Sequence, residues 1–183
     1  MIYYHCSPTA GLTLLLPQTP ESFDKPAKVY LSTLLPMALM YGVRNYEYTY
    51  GYDKDGQICF EEYFPSALET LYRGRQASLY RCAPSFVEST KIPNEAVCAD
   101  SVPVLEEIPI PDVYEALLEQ ERTGALLIHR FEDLSPAMLD WIKKVETDEI
   151  LQGNLLHTPG PKADYYRTHY PDSWRAATEL DKK

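Results

Sequence analysis

The chain has few glycines and none of the familiar glycine-rich loops. Its 183 residues include only 8 glycines. Phosphate-binding P-loops, Rossmann glycine fingerprints, HExxH helices and GxSxG elbows are all absent from the sequence. These absences exclude the commonest motif-bearing nucleotide and hydrolase sites. A functional site in this chain must therefore be assembled from other residue types.

Long apolar segments are also missing. No apolar run approaches the roughly 20 residues that a membrane span needs, so we expect no membrane partner. The first five residues, Met-Ile-Tyr-Tyr-His, lack the basic and apolar regions of a signal peptide. The expected location is the cytoplasm.

The cysteines are too widely spaced to form a zinc motif. Cys6, Cys59, Cys82 and Cys98 include no CxxC pair. This spacing, in a chain expected in a reducing compartment, predicts reduced and mostly buried thiols. We therefore expect neither a disulfide framework nor a bound metal.

Basic residues are outnumbered by acidic ones, 17 to 27, which gives a net charge of −10. Binding to nucleic-acid phosphates needs clustered lysine and arginine, so this charge argues against a general nucleic-acid binder. The one mildly basic stretch holds Arg73, Arg75 and Arg81. We interpret it as a solvated helix end followed by a strand.

The composition that remains is that of a globular protein with a core, with 45% hydrophobic and 24% charged residues. Strand patterns dominate residues 1–110 and helix patterns dominate residues 111–183. The predicted fold class is therefore α+β. The second part is too short for a substantial core of its own, so we expect a helical extension packed on the first part within a single domain.

Hydrophobic periodicity and turn residues predict the order of elements. Strands are predicted over residues 2–5, 12–16, 29–32, 46–52, 57–63, 77–82, 95–105 and 126–131. Helices are predicted over residues 36–44, 64–72, 112–123 and 136–152, and from about residue 172 onward. Residues 17–26 are a predicted loop, residues 84–93 are a predicted loop with one candidate strand, and Asp55-Gly56 is a predicted hairpin turn.

Three segments place chemically useful residues at predicted strand ends. The first strand closes with His5-Cys6-Ser7. Tyr30 lies within Val29-Tyr30-Leu31-Ser32, with Tyr41 eleven residues further on, and Asn94-Glu95-Ala96-Val97 begins a later strand. Taken singly, such tyrosines are usually core residues and such an acid is usually solvated.

Together, in this order, the three segments resemble the His-Tyr-Glu signature of ADP-ribosyltransferases of the diphtheria-toxin and poly(ADP-ribose) polymerase type. The resemblance covers residues 1 to about 105. It implies an ADP-ribosyltransferase-like split β-sheet core over residues 1–110, which binds NAD in a cleft. It also implies that NAD is a co-substrate and that one ADP-ribose unit passes to an acceptor, which is a protein, a nucleic acid or a small molecule.

The resemblance also implies the role of each site residue. The catalytic residues are Glu95, His5 and Tyr30, and the cofactor-binding residues are His5, Cys6, Ser7, Tyr30, Ser32 and Tyr41. His5 hydrogen-bonds the nicotinamide-proximal ribose, and Tyr30 and Tyr41 sandwich the nicotinamide. The Cys6 backbone holds the carboxamide, and Ser7 binds the other ribose. Glu95 binds the ribose 2′-hydroxyl, stabilises the positive centre and orients the acceptor.

Two departures from the signature keep alternative functions open. Cys6 stands where the family usually has glycine, and Ala38 stands where a serine hydroxyl often contacts the amide. A degenerate module that binds NAD or ADP-ribose without chemistry is one alternative. An RNA 2′-phosphotransferase-like enzyme is another, although its paired arginines and histidine are not visible here. The oligomeric state cannot be predicted from the sequence.

Other acids and histidines are weaker candidates for the same site. The pairs Glu61-Glu62 and Glu106-Glu107 lack the Asn-Glu-apolar context, and we expect them on solvated edges. His129, His157 and His169 show no metal-ligand spacing, so we assign them no role.

Overall fold

The structure, a computed structural model, describes residues 1–19 and 27–182. The chain divides into two compact units. The first consists of Met1–Cys59 and Leu68–Leu127, and the second consists of Phe60–Ala67 and the chain from Ile128 onward. Residues 111–127 belong to the first unit, and the predicted single domain with a core over residues 1–110 and a helical extension stays a prediction.

A seven-stranded sheet holds most of the first unit. Its strands are β1 (Tyr3–Ser7), β2 (Leu14–Leu15), β3 (Val29–Ser32), β6 (Ala77–Cys82), β7 (Glu88–Ser89), β8 (Glu95–Cys98) and β9 (Val102–Ile110). Their order across the sheet is β2-β9-β6-β1-β3-β8-β7, built from antiparallel pairings. The strands that carry the three signature segments, β1, β3 and β8, are therefore neighbours.

A smaller sheet contains β4 (Tyr50–Tyr52), β5 (Ile58–Glu61) and β10 (Leu127–His129), in the order β10-β5-β4. The helices are α1 (Leu35–Tyr41), α2 (Ala67–Tyr72), α3 (Val113–Arg122), α4 (Pro136–Gln152), α5 (Pro161–His169) and α6 (Pro171–Asp181). A 3-10 turn spans Phe131–Asp133. The predicted α+β class is confirmed.

Strand β3 shows how the sheet separates its two faces. Val29 and Leu31 are buried in a cluster that also contains Tyr80, Cys82 and residues from three other segments. Because successive side chains alternate across a strand, Tyr30 and Ser32 lie on the opposite face. Helix α1 packs against β1 and β3.

Local signals placed several elements correctly. The Asp112 carboxylate accepts hydrogen bonds from the backbone N–H groups of Tyr114 and Glu115, at 2.9 and 3.4 Å, and so begins α3. Ser135 caps α4 through the N–H of Met138 at 3.2 Å, directly before Pro136. The predicted hairpin turn and the strand at residues 77–82 are also confirmed.

Two predictions were wrong, and one helix was missed. The tyrosine strand over residues 46–52 is a strand only from Tyr50, because the Tyr48 hydroxyl donates to the Val43 carbonyl, 3.0 Å away, within an irregular loop. The strand over residues 95–105 is two strands, β8 and β9, which pair with different neighbours. Helix α5, which begins at Pro161, was not predicted.

Part of one predicted loop lies outside the described residues. Of residues 17–26, positions 20–26 are not described, and the bridge between Gln18 and Lys28 flanks them. The four cysteines are free and buried, as predicted. Within residues 1–19 and 27–182, no helix combines the length and apolarity needed to cross a bilayer.

We expect the Asp112→Ala variant to lose about 1–2 kcal/mol of unfolding free energy, because the cap and the bond to Gly74 are both removed. The Asp112 carboxylate also accepts the Gly74 N–H at 3.0 Å, so it ties α3 to the turn after α2. Asp112→Asn keeps one acceptor oxygen for the cap and loses the acceptor for the Gly74 N–H, so its stability should lie between those of the alanine variant and the native protein. Urea unfolding followed by circular dichroism measures both, and equal stability of the alanine variant and the native protein would contradict this role.

Candidate functional site

The sheet brings the three signature segments together although they lie far apart in the sequence. Tyr4 of β1 is in register with Ser32 of β3, and Ser32 is in register with Glu95 of β8. Directly opposed residues of antiparallel strands share a face. Tyr30, Ser32 and Glu95 therefore lie on one face of the sheet, the face on which α1 packs.

His5 occupies the gap between β1 and β3. The ladder between these strands is confined to Tyr4 and Ser32, whereas β1 pairs with β6 along its whole length. The His5 ring bridges the gap, with its Nδ1 2.9 Å from the Tyr30 carbonyl oxygen. By strand alternation His5 lies on the face opposite Tyr30 and Glu95, so the three signature side chains do not all share one face.

The protonation of His5 follows from this contact. A carbonyl oxygen can only accept, so Nδ1 carries the proton and donates it. Burial lowers the pKa of His5, although the bond to Tyr30 opposes that shift, so the ring is neutral at pH 7. A neutral ring protonated at Nδ1 has a lone pair on Nε2. Nε2 is therefore able to accept a hydrogen bond from a hydroxyl group.

The conformation and hydrogen bonds of Asn94 set the start of strand β8, of which Glu95 is the first residue. Asn94 has a φ of 63°, a left-handed conformation that asparagine tolerates better than most residues. Its carbonyl accepts the Thr33 N–H at 3.0 Å, and its side-chain oxygen accepts the Thr33 hydroxyl at 3.0 Å. These bonds join the end of β3 to the start of β8. They fix Glu95 opposite Ser32.

Ser32, a predicted cofactor-binding residue, is engaged with the protein backbone. Its side chain is buried, with the residue only 4% exposed, and its Oγ accepts the Leu34 N–H at 2.9 Å. This bond shapes the turn between β3 and α1, which carries Tyr41. In the structure, the Ser32 hydroxyl positions the bend.

Tyr41 belongs to a cluster of phenol rings beside Glu95. Its hydroxyl lies 2.9 Å from the Tyr50 hydroxyl, and its ring centroid lies 4.8 Å from that of Tyr48. Burial, the bond with Tyr50 and nearby negative charge, including that of Glu95, raise the pKa of Tyr41 above its usual range. Burial also raises the pKa of Tyr50, and the charge of Glu95 adds to that shift. The phenols stay neutral and lie within the electrostatic field of Glu95.

A cavity of about 430 Å³ opens beside this cluster. We call it the tyrosine cavity. Its lining residues are Tyr41, Tyr48, Tyr50, Gly51, Tyr52, Lys91, Ile92 and Pro93. Among them, only Tyr41 was predicted from the sequence as a site residue. The alternating tyrosines of residues 46–52 are the sequence feature that marks this cavity, but alternation of this kind predicts one face of a regular strand.

Cys6 fits its position because residue 42 has no side chain. Cys6 is 5% exposed, and burial raises the pKa of its thiol to about 12, which keeps it protonated. A Cβ at Gly42 would lie 2.5 Å from the Cys6 Sγ. The thiol therefore fills space against the end of α1. Ala38 is also buried, and the Ser7 hydroxyl accepts the Thr9 N–H at 3.2 Å.

The competing acids have structural partners. Glu62, expected on a solvated edge, is instead 3% exposed, and its carboxylate accepts the Phe131 N–H at 3.3 Å. Glu107 accepts the Gly11 N–H at 3.0 Å, and Glu106 pairs with Arg81. The prediction of a solvated edge is wrong for Glu62, whose buried carboxylate has a backbone donor in the 3-10 turn at Phe131–Asp133.

The histidines outside the signature also contact named neighbours. His129 Nδ1 lies 2.8 Å from a Glu61 carboxylate oxygen, and His157 Nε2 lies 3.0 Å from Asp181. His169 stacks on Phe64 with ring centroids 4.2 Å apart.

Comparisons of the chain with protein-family models, with curated proteins and with solved structures found no match. The function of this chain is therefore inferred from the residues and the geometry of this site.

We expect Gly42→Ala to destabilise the protein by about 1–3 kcal/mol, because the new methyl group overpacks against the Cys6 thiol. The double variant Cys6→Ala/Gly42→Ala should recover part of this loss, because the sulfur is gone. A double-mutant cycle measured by urea unfolding gives the coupling between the two positions. Additive effects would show that Cys6 and Gly42 do not share this space.

We expect acid to destabilise the native protein through His5. Its folded pKa lies below the ordinary value of 6.5, so the unfolded chain binds the proton more tightly. The contribution is present above pH 6.5 and is lost as the pH falls through the folded pKa. His5→Asn keeps a donor for the Tyr30 carbonyl but does not titrate. Urea unfolding at about pH 7.5 and 5.5 should show a smaller acid loss in this variant, and an equal loss would contradict the assignment.

Proposed function

We propose that this protein is an NAD-dependent mono-ADP-ribosyltransferase. One observation carries the proposal: three segments that resemble the His-Tyr-Glu signature lie on three adjacent strands, with Glu95 in register with Ser32 and on the face of Tyr30. The two sheets and the single-pair contact between β1 and β3 support an ADP-ribosyltransferase-like split sheet.

The residues present suit the binding of NAD. Neutral tyrosine rings attract a cationic nicotinamide ring through their π faces. The His5 Nε2 lone pair accepts from a ribose hydroxyl, and the Glu95 carboxylate accepts from another.

Glu95 supplies the main catalytic effect in this proposal. Breaking the bond between nicotinamide and ribose leaves positive charge at the ribose C1′. A fixed carboxylate stabilises that charge as it develops, and such preorganised electrostatic stabilisation is usually the largest single catalytic effect. Asn94 and Thr33 position Glu95 through the bonds that begin β8. The phenols of Tyr41 and Tyr50 stay neutral, so they add no second negative charge that would compete with Glu95 for the positive ribose centre.

Cys6 and Ala38 do not block this chemistry. The Cys6 thiol packs against Gly42, so the family's usual glycine is replaced by a side chain that has its own space. The backbone of residue 6 remains the group proposed to hold the carboxamide. Ala38 removes one possible hydroxyl contact, which should weaken affinity for NAD without removing the charge that drives bond cleavage.

We expect Glu95→Gln to lower the rate of nicotinamide release from NAD by about 100-fold or more, because the amide cannot stabilise a developing cation. NAD affinity should change little, since the amide still hydrogen-bonds ribose. Glu88→Gln is the matched control, an exposed acid on the neighbouring strand β7. Release is measured by chromatography, and affinity by calorimetry.

The two measurements together separate the alternatives. Release that needs Glu95 supports the transferase. NAD binding without release by the native protein would instead identify a degenerate binding module. Neither binding nor release would show that the signature resemblance is misleading.

A further inference from the structure

The tyrosine cavity lies directly beside the proposed catalytic acid. Lys91, Ile92 and Pro93 line it and immediately precede Asn94 and Glu95 in the chain. The Glu95 N–H donates to the Ile92 carbonyl at 3.2 Å, so this wall and the acid form one local structure. Glu95 is not one of the lining residues, but its charge raises the pKa of Tyr41 and of Tyr50, which are.

The cavity offers ring faces more than hydroxyl groups. The Tyr41 and Tyr50 hydroxyls bond to each other. The Tyr48 hydroxyl donates to the Val43 carbonyl at 3.0 Å, and the Tyr52 hydroxyl donates to the Pro93 carbonyl at 2.6 Å. Each of these hydroxyls already has a protein partner, whereas the ring faces offer a ligand stacking and apolar contact. A planar ring is the group that uses them best.

The charge and size of the cavity narrow the ligand further. Lys91 is the only charged side chain among the eight lining residues, all of which belong to the described part of the chain. Its ammonium group favours an anionic substituent at the Lys91 side of the cavity, whereas the charge of Glu95 disfavours one beside Tyr41 and Tyr50. A volume of about 430 Å³ suits one small molecule, and the net charge of −10 disfavours a nucleic-acid polymer.

We propose that the tyrosine cavity binds the acceptor of ADP-ribose, and that the acceptor is a mononucleotide or a nucleotide-like molecule with a planar ring and a phosphate. This inference rests on the proposed function. The tyrosine rings stack on the acceptor ring, and Lys91 binds its phosphate. Tyr41 separates the acceptor from the nicotinamide, since it lines the cavity and is proposed to stack on the nicotinamide.

The transfer step balances without a further reactant. The bond between the ribose C1′ and the nicotinamide nitrogen breaks, and its electron pair leaves with the nicotinamide. An oxygen or nitrogen lone pair of the acceptor forms the new bond to C1′. The acceptor's proton passes to the Glu95 carboxylate and then to water. Nothing is oxidised or reduced.

Binding is tested on the Glu95→Gln protein saturated with NAD, where turnover is suppressed. Calorimetry is run with the four nucleoside 5′-monophosphates, the matching nucleosides and ribose 5-phosphate. At least one monophosphate should bind in the presence of NAD. The matching nucleoside, which lacks the phosphate, should bind about tenfold more weakly. Ribose 5-phosphate, which lacks the ring, should show no binding.

Variants test the two kinds of contact. Lys91→Ala and Tyr50→Leu should each weaken monophosphate binding about tenfold, whereas Tyr50→Phe, which keeps the ring, should bind normally. Lys54→Ala and Tyr46→Leu are matched controls, because both residues are exposed and lie outside the cavity. With the native enzyme, mass spectrometry should then detect the same monophosphate carrying an added ADP-ribose.

The possible failures are distinct. Glu95-dependent nicotinamide release without binding of any monophosphate would overturn this inference and leave the proposed function standing. Monophosphates that compete with NAD would show that the cavity holds part of NAD itself, which also overturns it. Monophosphate binding with no nicotinamide release by the native protein would remove the proposed function, and the acceptor role with it.

Discussion

The hydrogen bonds between Thr33 and Asn94 are the constraint on which the candidate site depends. They join the end of β3 to the start of β8 and fix the register that places Glu95 opposite Ser32. A shift of one residue in this register would move the Glu95 side chain to the other face of the sheet. Asn94 adopts the left-handed backbone conformation at this connection. The asparagine before Glu95 therefore has a conformational role, in addition to being part of the segment that resembles the family signature.

The parts of the fold that the sequence predicted are those set by local chemistry. Asp112 and Ser135 satisfy the free N–H groups of the helices that follow them, and such caps depend on only a few neighbouring residues. The position of β8 beside β3, and of β9 beside β6, depends on pairings between distant segments. The break between residues 98 and 102 contains Asp100 and Ser101, which favour turns, but it contains no glycine, and the two strands were wrongly predicted as one.

The candidate site also has a part that the sequence predicts and a part that depends on the tertiary structure. The resemblance supplied Glu95, His5, Tyr30 and Tyr41, but it could not show that His5 lies at a gap in the sheet or that Ser32 is engaged with the backbone. The tyrosines at 48, 50 and 52 were visible as an alternating row. Their convergence on Tyr41 depends on an irregular loop, which the Tyr48 hydroxyl holds by bonding to a carbonyl. Hydrogen bonds from side chains to the backbone can interrupt a strand in spite of an alternating sequence, and the sequence pattern does not reveal them.

Cys6 shows how a departure from a signature can be compatible with the site it belongs to. A side chain at this position adds bulk where a backbone must approach its ligand, unless that bulk turns away from the ligand. In β1 the Cys6 thiol points toward α1, and glycine at position 42 leaves the space that the sulfur needs. Its raised pKa keeps it an unreactive thiol, so it brings no competing nucleophile. The two positions therefore depend on each other. The signature usually has glycine at the position of Cys6, and in this chain the glycine is residue 42, which leaves room for the Cys6 thiol.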